Sequence, residues 1–345
     1  MIGFVGISNL LAGSVELFLV HAQHVKTVPG RTTDGHASEW LAQLRALGLL
    51  RRRCVPPAAQ RELRDVVRDR TRLIEDRARE ANRVAKVLET ANIQLASVVT
   101  DVLGVSARAM RKALLAGTGT PEEVAELAQR RMRRKRAALG EALTGRVTTH
   151  HRFLLAQLLQ HVEFLDDAIA TCDRHIATLT AADGDALARL DTIPGVARRT
   201  AETVLAELGG DMSRFPTAGH AASWAGLCPG NHESASKRLS GRTRFANRSL
   251  RQALVESARG AVRKRDSYLA AQYRRLVKRR GDKKAIVAVA HSILVIAYHV
   301  LRDGASYREL GGDYFDHLNA DRLTRYHTKR LAALGYAVTL TKCAA

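Results

Sequence analysis

Residues 226–250, GLCPGNHESASKRLSGRTRFANRSL, interleave serines with cations around a single acid, Glu233. By residue type alone Ser234 has three readings: a nucleophile, a small hydroxyl that hydrogen-bonds a phosphate, or loop filler. Pro229-Gly230 opens the stretch as a loop, from which a hydroxyl can reach a substrate. His232, two residues away, is a candidate base. Lys237, Arg238, Arg242 and Arg244, with Arg248 beyond them, could hold a phosphodiester and the charge that develops on it. A non-catalytic phosphate-binding loop needs the same residues, so spacing leaves the alternatives open.

A second candidate contact lies upstream in LDTIPGVARRTAETVLAELG, residues 190–209. A helix stops at Ile193-Pro194-Gly195, turns, and restarts near Arg199, a helix–hairpin–helix pattern. The Gly195 turn would expose backbone N–H groups and the next helix N-terminus would add its dipole, so a phosphate could dock without a specific side chain. Arg198 and Arg199 would reinforce it. The usual pattern has a second glycine where this chain has Ala197, and an ordinary αα-hairpin is the competing reading. Other polar clusters are weaker. His21 and His24 would point to opposite faces of a strand, His150-His151 begins a helix, and His291 and His299 read as satisfied core histidines. No Walker A or G-x-G-x-x-G occurs.

These residues need elements to position them, and the chain is long enough for two or three domains. Its 345 residues carry 55 Lys+Arg against 34 Asp+Glu, a formal charge of +21. Nucleic acid is the expected partner of so basic a chain, because Lys and Arg displace counterions condensed on phosphates. The four cysteines form no C-x-x-C pair, so neither a zinc site nor a disulfide framework is indicated, in keeping with a reducing cytoplasm. The first residues lack a basic n-region, so no signal peptide is expected. The apolar run 285–301 is short of a full span, holds two histidines and follows Lys283-Lys284. It is expected to be a buried core helix, with no membrane partner.

SVELFLVHAQHVK (14–26) reads as a strand, and TTDGHASEWLAQLRAL as a helix capped by Thr33 or Asp34. From Ala58 to about Val99 the pattern is one long helix, with Leu63, Val66, Val67, Leu73, Ile74, Ala81, Val84 and Leu88 on its apolar face. A second long helix is expected after the basic segment QRRMRRKR (129–136). Its Leu155, Leu158, Val162, Leu165, Ile169, Cys172, Ile176 and Leu179 alternate steps of three and four, a heptad seam of the coiled-coil kind. The seam could pair within the chain or with a second protomer. A helix from about Arg248 to Lys264, a basic surface segment, the core helix and a peripheral tail complete the pattern. The fold class expected is mainly α, with four parts: 1–56, 57–185, 186–315 and 316–345.

IPGVARRTAETVLAELG, ASWAGLCPGNHESASKRLSGRTRFANRSLRQALVESA and YRELGGDYF resemble the C-terminal domain of the insertion-sequence 110/116/902 family of transposases. VELFLVHAQHVKTVPGRTTDGHASEWLAQL and PPAAQRELRDVVRDRTRLIEDRAREANRVAKVLE resemble that family's N-terminal domain and coiled coil. The resemblance implies a DNA recombinase with two half-sites: a RuvC-like domain whose four acids hold Mg²⁺, and a serine that attacks a DNA phosphodiester to form a phosphoserine. It also implies a homo-oligomer, through the coiled coil here, and a structured guide (bridge) RNA that pairs with target and donor DNA. Ser234 in HESASK matches the serine position; Ser236 stands where the family usually has Gly, so Ser236 and Ser240 compete with it. The first two acids would precede the VELFLVHAQHVK strand, yet MIGFVGISNLLAG holds none. The last two belong to T-D-x-x-D; here Asp34 matches the first, and Ala37 replaces the second. One metal ligand of four, Asp34, is expected to hold Mg²⁺ poorly. The resemblance therefore implies a truncated copy with an impaired RuvC-like half-site. Three readings stay open: a working transposase whose start lies upstream, a DNA- or RNA-binding remnant without turnover, and a coiled-coil partner of a full-length relative.

Overall fold

A computed structural model describes residue 20 and residues 37–50, 56–230, 232–234, 237–241, 243, 246–318 and 320–341, with backbone alone at 37, 232–234 and 237–240. The strand expected over 14–26 and the metal ligand Asp34 lie outside the described residues. The chain divides into two units, Met1–Arg61 and Glu62–Ala345. In the first, helix α1 (Ala37–Ala46) occupies the segment expected to be helical after TTDG.

The second unit is built on two long helices, α2 (Ala58–Thr90) and α7 (Thr149–Leu179). α2 contains no glycine or proline, and α7 starts at Thr148, whose hydroxyl accepts from His151 N in a capping box. They run antiparallel. Leu63 and Val67 pack with Ile176 at one end, and Val84 and Leu88 pack with Leu155 and Leu158 at the other. Steps of four and three from Leu63 along α2 fall on Arg70 and Arg77. Arg70 pairs with Asp173 of α7 at 2.7 Å, Arg77 pairs with Asp166, and His161 lies 3.4 Å from Glu80. The middle of the seam is thus ionic, and its partner helix is in the same chain.

The sequence pattern merged several shorter elements into these two helices. α2 ends at Thr90 rather than near Val99, because Asn92 turns the chain with φ 59°, a conformation asparagine tolerates. Beyond it come α3 (Leu95–Val98), α4 (Val105–Ala116), α5 (Pro121–Ala125), a 3₁₀ turn at Arg130–Lys135 and α6 (Arg136–Leu143). Their apolar residues, Leu95, Met110, Leu139 and Leu143 among them, cluster with Val84, Leu88, Leu155 and Ile93, which precedes α3. The basic segment therefore precedes the short α6, and a break at residues 144–148 separates it from α7.

The C-terminal part comprises α8 (Gly184–Asp191), α9 (Arg198–Leu208), α10 (Ala218–Trp224), strands β1 (His232–Ser234) and β2 (Lys237–Ser240), α11 (Arg248–Ala261), α12 (Tyr268–Arg280) and α13 (Asp282–Asp303). α13 holds the apolar run 285–301. It is 22 residues long with mean hydropathy 1.8, and α8, α10, α11 and α12 pack on it. Ile286, Val289, Ile293, Leu294 and Tyr298 are buried there, each apolar side chain contributing about 1.5–3 kcal/mol. Tyr298 Oη donates to Phe215 O at 2.9 Å, which satisfies its hydroxyl. α12 buries Leu269, Ala270 and Ala271 and exposes its basic end, Lys278–Arg280. α14 (Tyr314–Leu318) and α15 (Ala320–Ala333) have no buried residue. The fold is mainly α, and the one sheet among the described residues is the β1–β2 pair.

Candidate nucleic-acid interface

The stretch read as a loop is a short antiparallel hairpin. Ser234 ends β1 and pairs with Lys237; Glu233 pairs with Arg238, and His232 with Ser240, with a register shift between His232 and Glu233. A bridge between Pro229 and Thr243 closes its base. Backbone pairing alone therefore sets Ser234 at the turn, with Lys237 directly across and Ser240 at the other end. Ser236, Arg242 and Arg244 lie outside the described residues. Arg248 is exposed in the first turn of α11.

A buried carboxylate fixes where the hairpin returns to the helices. Glu207 of α9 is 0% exposed. It accepts from Arg68 Nε at 2.7 Å and Nη2 at 3.0 Å, and from Asn247 Nδ2 at 2.6 Å; Arg64 Nε lies 3.0 Å away. Arg64 also donates from Nη2 to Glu207 O at 2.8 Å and sits over the Trp224 ring. Burial pulls the Arg64 guanidinium below its ordinary range, and Glu207 opposes that pull. Asn247 in turn caps α11, its Oδ1 accepting from Leu250 N at 3.1 Å. One carboxylate thus ties α2, α9 and the residue just before Arg248 together.

Arg198 and Arg199 belong to a second ionic group. Arg198 Nε donates to Glu202 Oε1 at 2.6 Å, Arg70 Nη1 to Glu202 Oε2 at 2.6 Å, and Arg199 Nη2 to Asp173 Oδ2 at 3.2 Å. Both arginines are more than half exposed, yet each already holds a carboxylate of its own chain. Gly195 has φ 82°, and a Cβ there would meet Ser257 O at 2.2 Å and Ala261 N at 2.6 Å. Its glycine is required by close packing on α11, a reason the sequence did not display.

His299 is exposed, 3.6 Å from Asp303, and so is not a core histidine; the end of α13 that carries it reaches solvent. His291 is half-buried, and burial lowers its pKa. Sequence reasoning missed Glu202, Glu207, Arg64, Arg68, Arg70 and Asn247. The available signal was two acids in the otherwise apolar TAETVLAEL, facing a helix with arginines at seam positions. Among the described residues no group of three His, Cys, Asp or Glu lies together as a metal ion would require of such a cluster.

Residues 187–274, which contain α9, the hairpin and α11, match the family model described as the transposase IS116/IS110/IS902 family. That segment is similar to the family's transposase domain. Among curated relatives, the y4pF/y4sB protein of Sinorhizobium fredii is 32% identical over 149 residues, covering 42% of this chain and 38% of its own length. The 42 kDa protein of insertion element IS900 from Mycobacterium paratuberculosis is 29% identical over 257 residues, 70% of this chain and 62% of that one. The pilin gene-inverting protein of Moraxella bovis is 32% identical over 125 residues, 34% and 37% respectively. The matched segments span less than two thirds of each relative.

Proposed function

We propose that this transposase-family chain binds DNA and exchanges its strands, with Ser234 as the nucleophile. The observation that carries the reading is that the family match encloses the hairpin, whose pairing sets Ser234 opposite Lys237. In the proposed step Ser234 Oγ bonds to the phosphorus of a phosphodiester. The bond from phosphorus to the departing deoxyribose oxygen breaks, and the serine proton ends on that oxygen, with His232 as its candidate carrier. Lys237, Arg238, Arg242, Arg244 and Arg248 offset the charge on the non-bridging oxygens. Gly195, Arg198 and Arg199 form a second phosphate contact in this reading, which requires the two arginines to share their carboxylates with DNA. The exposed turn Arg130–Lys135 offers a surface for a guide RNA. The seam of the α2–α7 coiled coil is filled within one chain, so a homo-oligomer would use its outer face, where Phe153 and Phe164 are exposed.

A second reading rests on Ala37. The family pattern calls for a carboxylate there, and the helix α1 begins at that residue. With Asp34 lacking that neighbour, the RuvC-like half holds Mg²⁺ poorly and the protein binds nucleic acid without completing strand exchange. One experiment separates the readings. The protein is incubated with the end DNA of its element, the element's RNA and Mg²⁺, and a phosphoserine–DNA adduct is sought by denaturing gel and mass spectrometry. An adduct lost in Ser234→Ala supports the nucleophile. An adduct that persists moves it to Ser236 or Ser240, and salt-sensitive binding with no adduct supports the second reading.

A further inference from the structure

The distal helices contain a second site, outside the segment that matches the family. α4 and α7 enclose a cavity of about 430 Å³. Arg108, Arg111 and Lys112 of α4 line it at positions i, i+3 and i+4, which share one helix face. Glu163 of α7 is the one carboxylate on its wall, and Leu115 and Leu159 contribute apolar surface. Arg111 is only 2% exposed. Its Nε donates to Ala107 O at 3.2 Å, and its Nη1 is buried with no hydrogen-bond partner. A guanidinium nitrogen buried without an acceptor is unfavourable, and an anion supplies the acceptor that Nη1 lacks. Arg108 reaches Asp166 at 3.4 Å, whereas Arg111 and Lys112 form no ion pair among the described residues. Burial, and Arg108 after it, push the Arg111 pKa down to about 10, so it stays charged at neutral pH.

We propose that this cavity binds a nucleotide, with the phosphate on Arg111 and Lys112 and the sugar and base against Leu115 and Leu159. A bare anion would leave the apolar wall uncovered, and an uncharged apolar ligand would leave Arg111 Nη1 without an acceptor. The volume is in the usual range for small-ligand sites. The nucleotide can be free or carried on a single strand, and the test separates these sources.

The experiment is calorimetric titration of the full chain with AMP, inorganic phosphate and adenosine, then competition of bound AMP by a 12-residue oligo(dA). Saturable binding of one AMP is expected, with phosphate and adenosine each at least about tenfold weaker, the size of one lost charged hydrogen bond or apolar contact. Arg111→Met should weaken AMP at least about tenfold while melting no lower than the wild type, because it removes an uncompensated buried charge. Lys112→Ala, at a more accessible position, should weaken AMP in the same direction and serves if Arg111→Met fails to fold. Displacement of AMP by oligo(dA) assigns a strand-borne nucleotide, and failure to displace assigns a free one. No heat with AMP, phosphate binding as tightly as AMP, or affinity unchanged in the folded variants would overturn the proposal.

Discussion

The arginines of α2 and those of the Arg130–Lys135 turn differ in what faces them. Arg64, Arg68, Arg70 and Arg77 each meet a carboxylate on another helix, Glu207, Glu202, Asp173 or Asp166. Arg130, Arg131, Arg133, Arg134 and Lys135 are exposed and form no ion pair among the described residues. The formal charge of +21 is therefore a mixture. Part of it is structural and cancelled locally, and only the exposed part can release counterions from a polyanion. A count of charges in the sequence cannot separate the two populations, because what distinguishes them is a carboxylate about a hundred residues or more away in the chain.

The comparison breaks first at Glu207. Glu207→Ala should destabilise by about 3 kcal/mol, since it leaves the partly buried Arg64 and Asn247 without their acceptor; denaturant unfolding measures it, and a loss under about 1 kcal/mol would mean the group contributes little. Gly195→Ala is next, at about 2–3 kcal/mol, from overpacking against Ser257 O and a left-handed φ. The same measurement decides whether the turn is a packing joint, as its contacts indicate. Replacing Arg130, Arg131, Arg133 and Arg134 together by Gln should change stability by no more than about 0.5 kcal/mol each. It should reduce the salt slope of DNA binding by about 3–4 if all four touch phosphates. Binding titrations from low to moderate salt check this; an unchanged slope would place the contact surface elsewhere. The smallest effect is expected at Ser234→Ala, whose thermal melting and DNA affinity should match the wild type while adduct formation is lost.

Much of the fold was legible because it is helical and periodic. The seam residues of α7 and the core helix α13 follow from the spacing of apolar residues, and the restart expected near Arg199, observed at Arg198, follows from the Pro194-Gly195 break. What was not legible depended on local turns and on distant partners. Asn92 follows the end of α2 with a left-handed φ, which its residue type permits but does not announce. The hairpin escaped notice because the sequence between its two strands is Ala-Ser rather than a glycine pair. Ser234 was readable as a candidate by type and by resemblance. The group that anchors its hairpin was not, since Glu207, Arg64, Arg68 and Asn247 stand up to 183 residues apart in the numbering.

The antiparallel α2–α7 pair also sets a distance. Arg68 grips Glu207 near one end, and Leu88 packs in the distal cluster near the other, twenty residues farther along the same helix. At 1.5 Å per residue that is about 30 Å, close to the length of nine stacked base pairs at 3.4 Å each. The pair acts as a ruler between the base of the serine hairpin and the distal helices. Adding one heptad to both helices would keep the seam in register and lengthen the ruler by about 10 Å, or three base pairs. Adding it to one helix alone would break the Arg70–Asp173 and Arg77–Asp166 matches and leave no defined length at all.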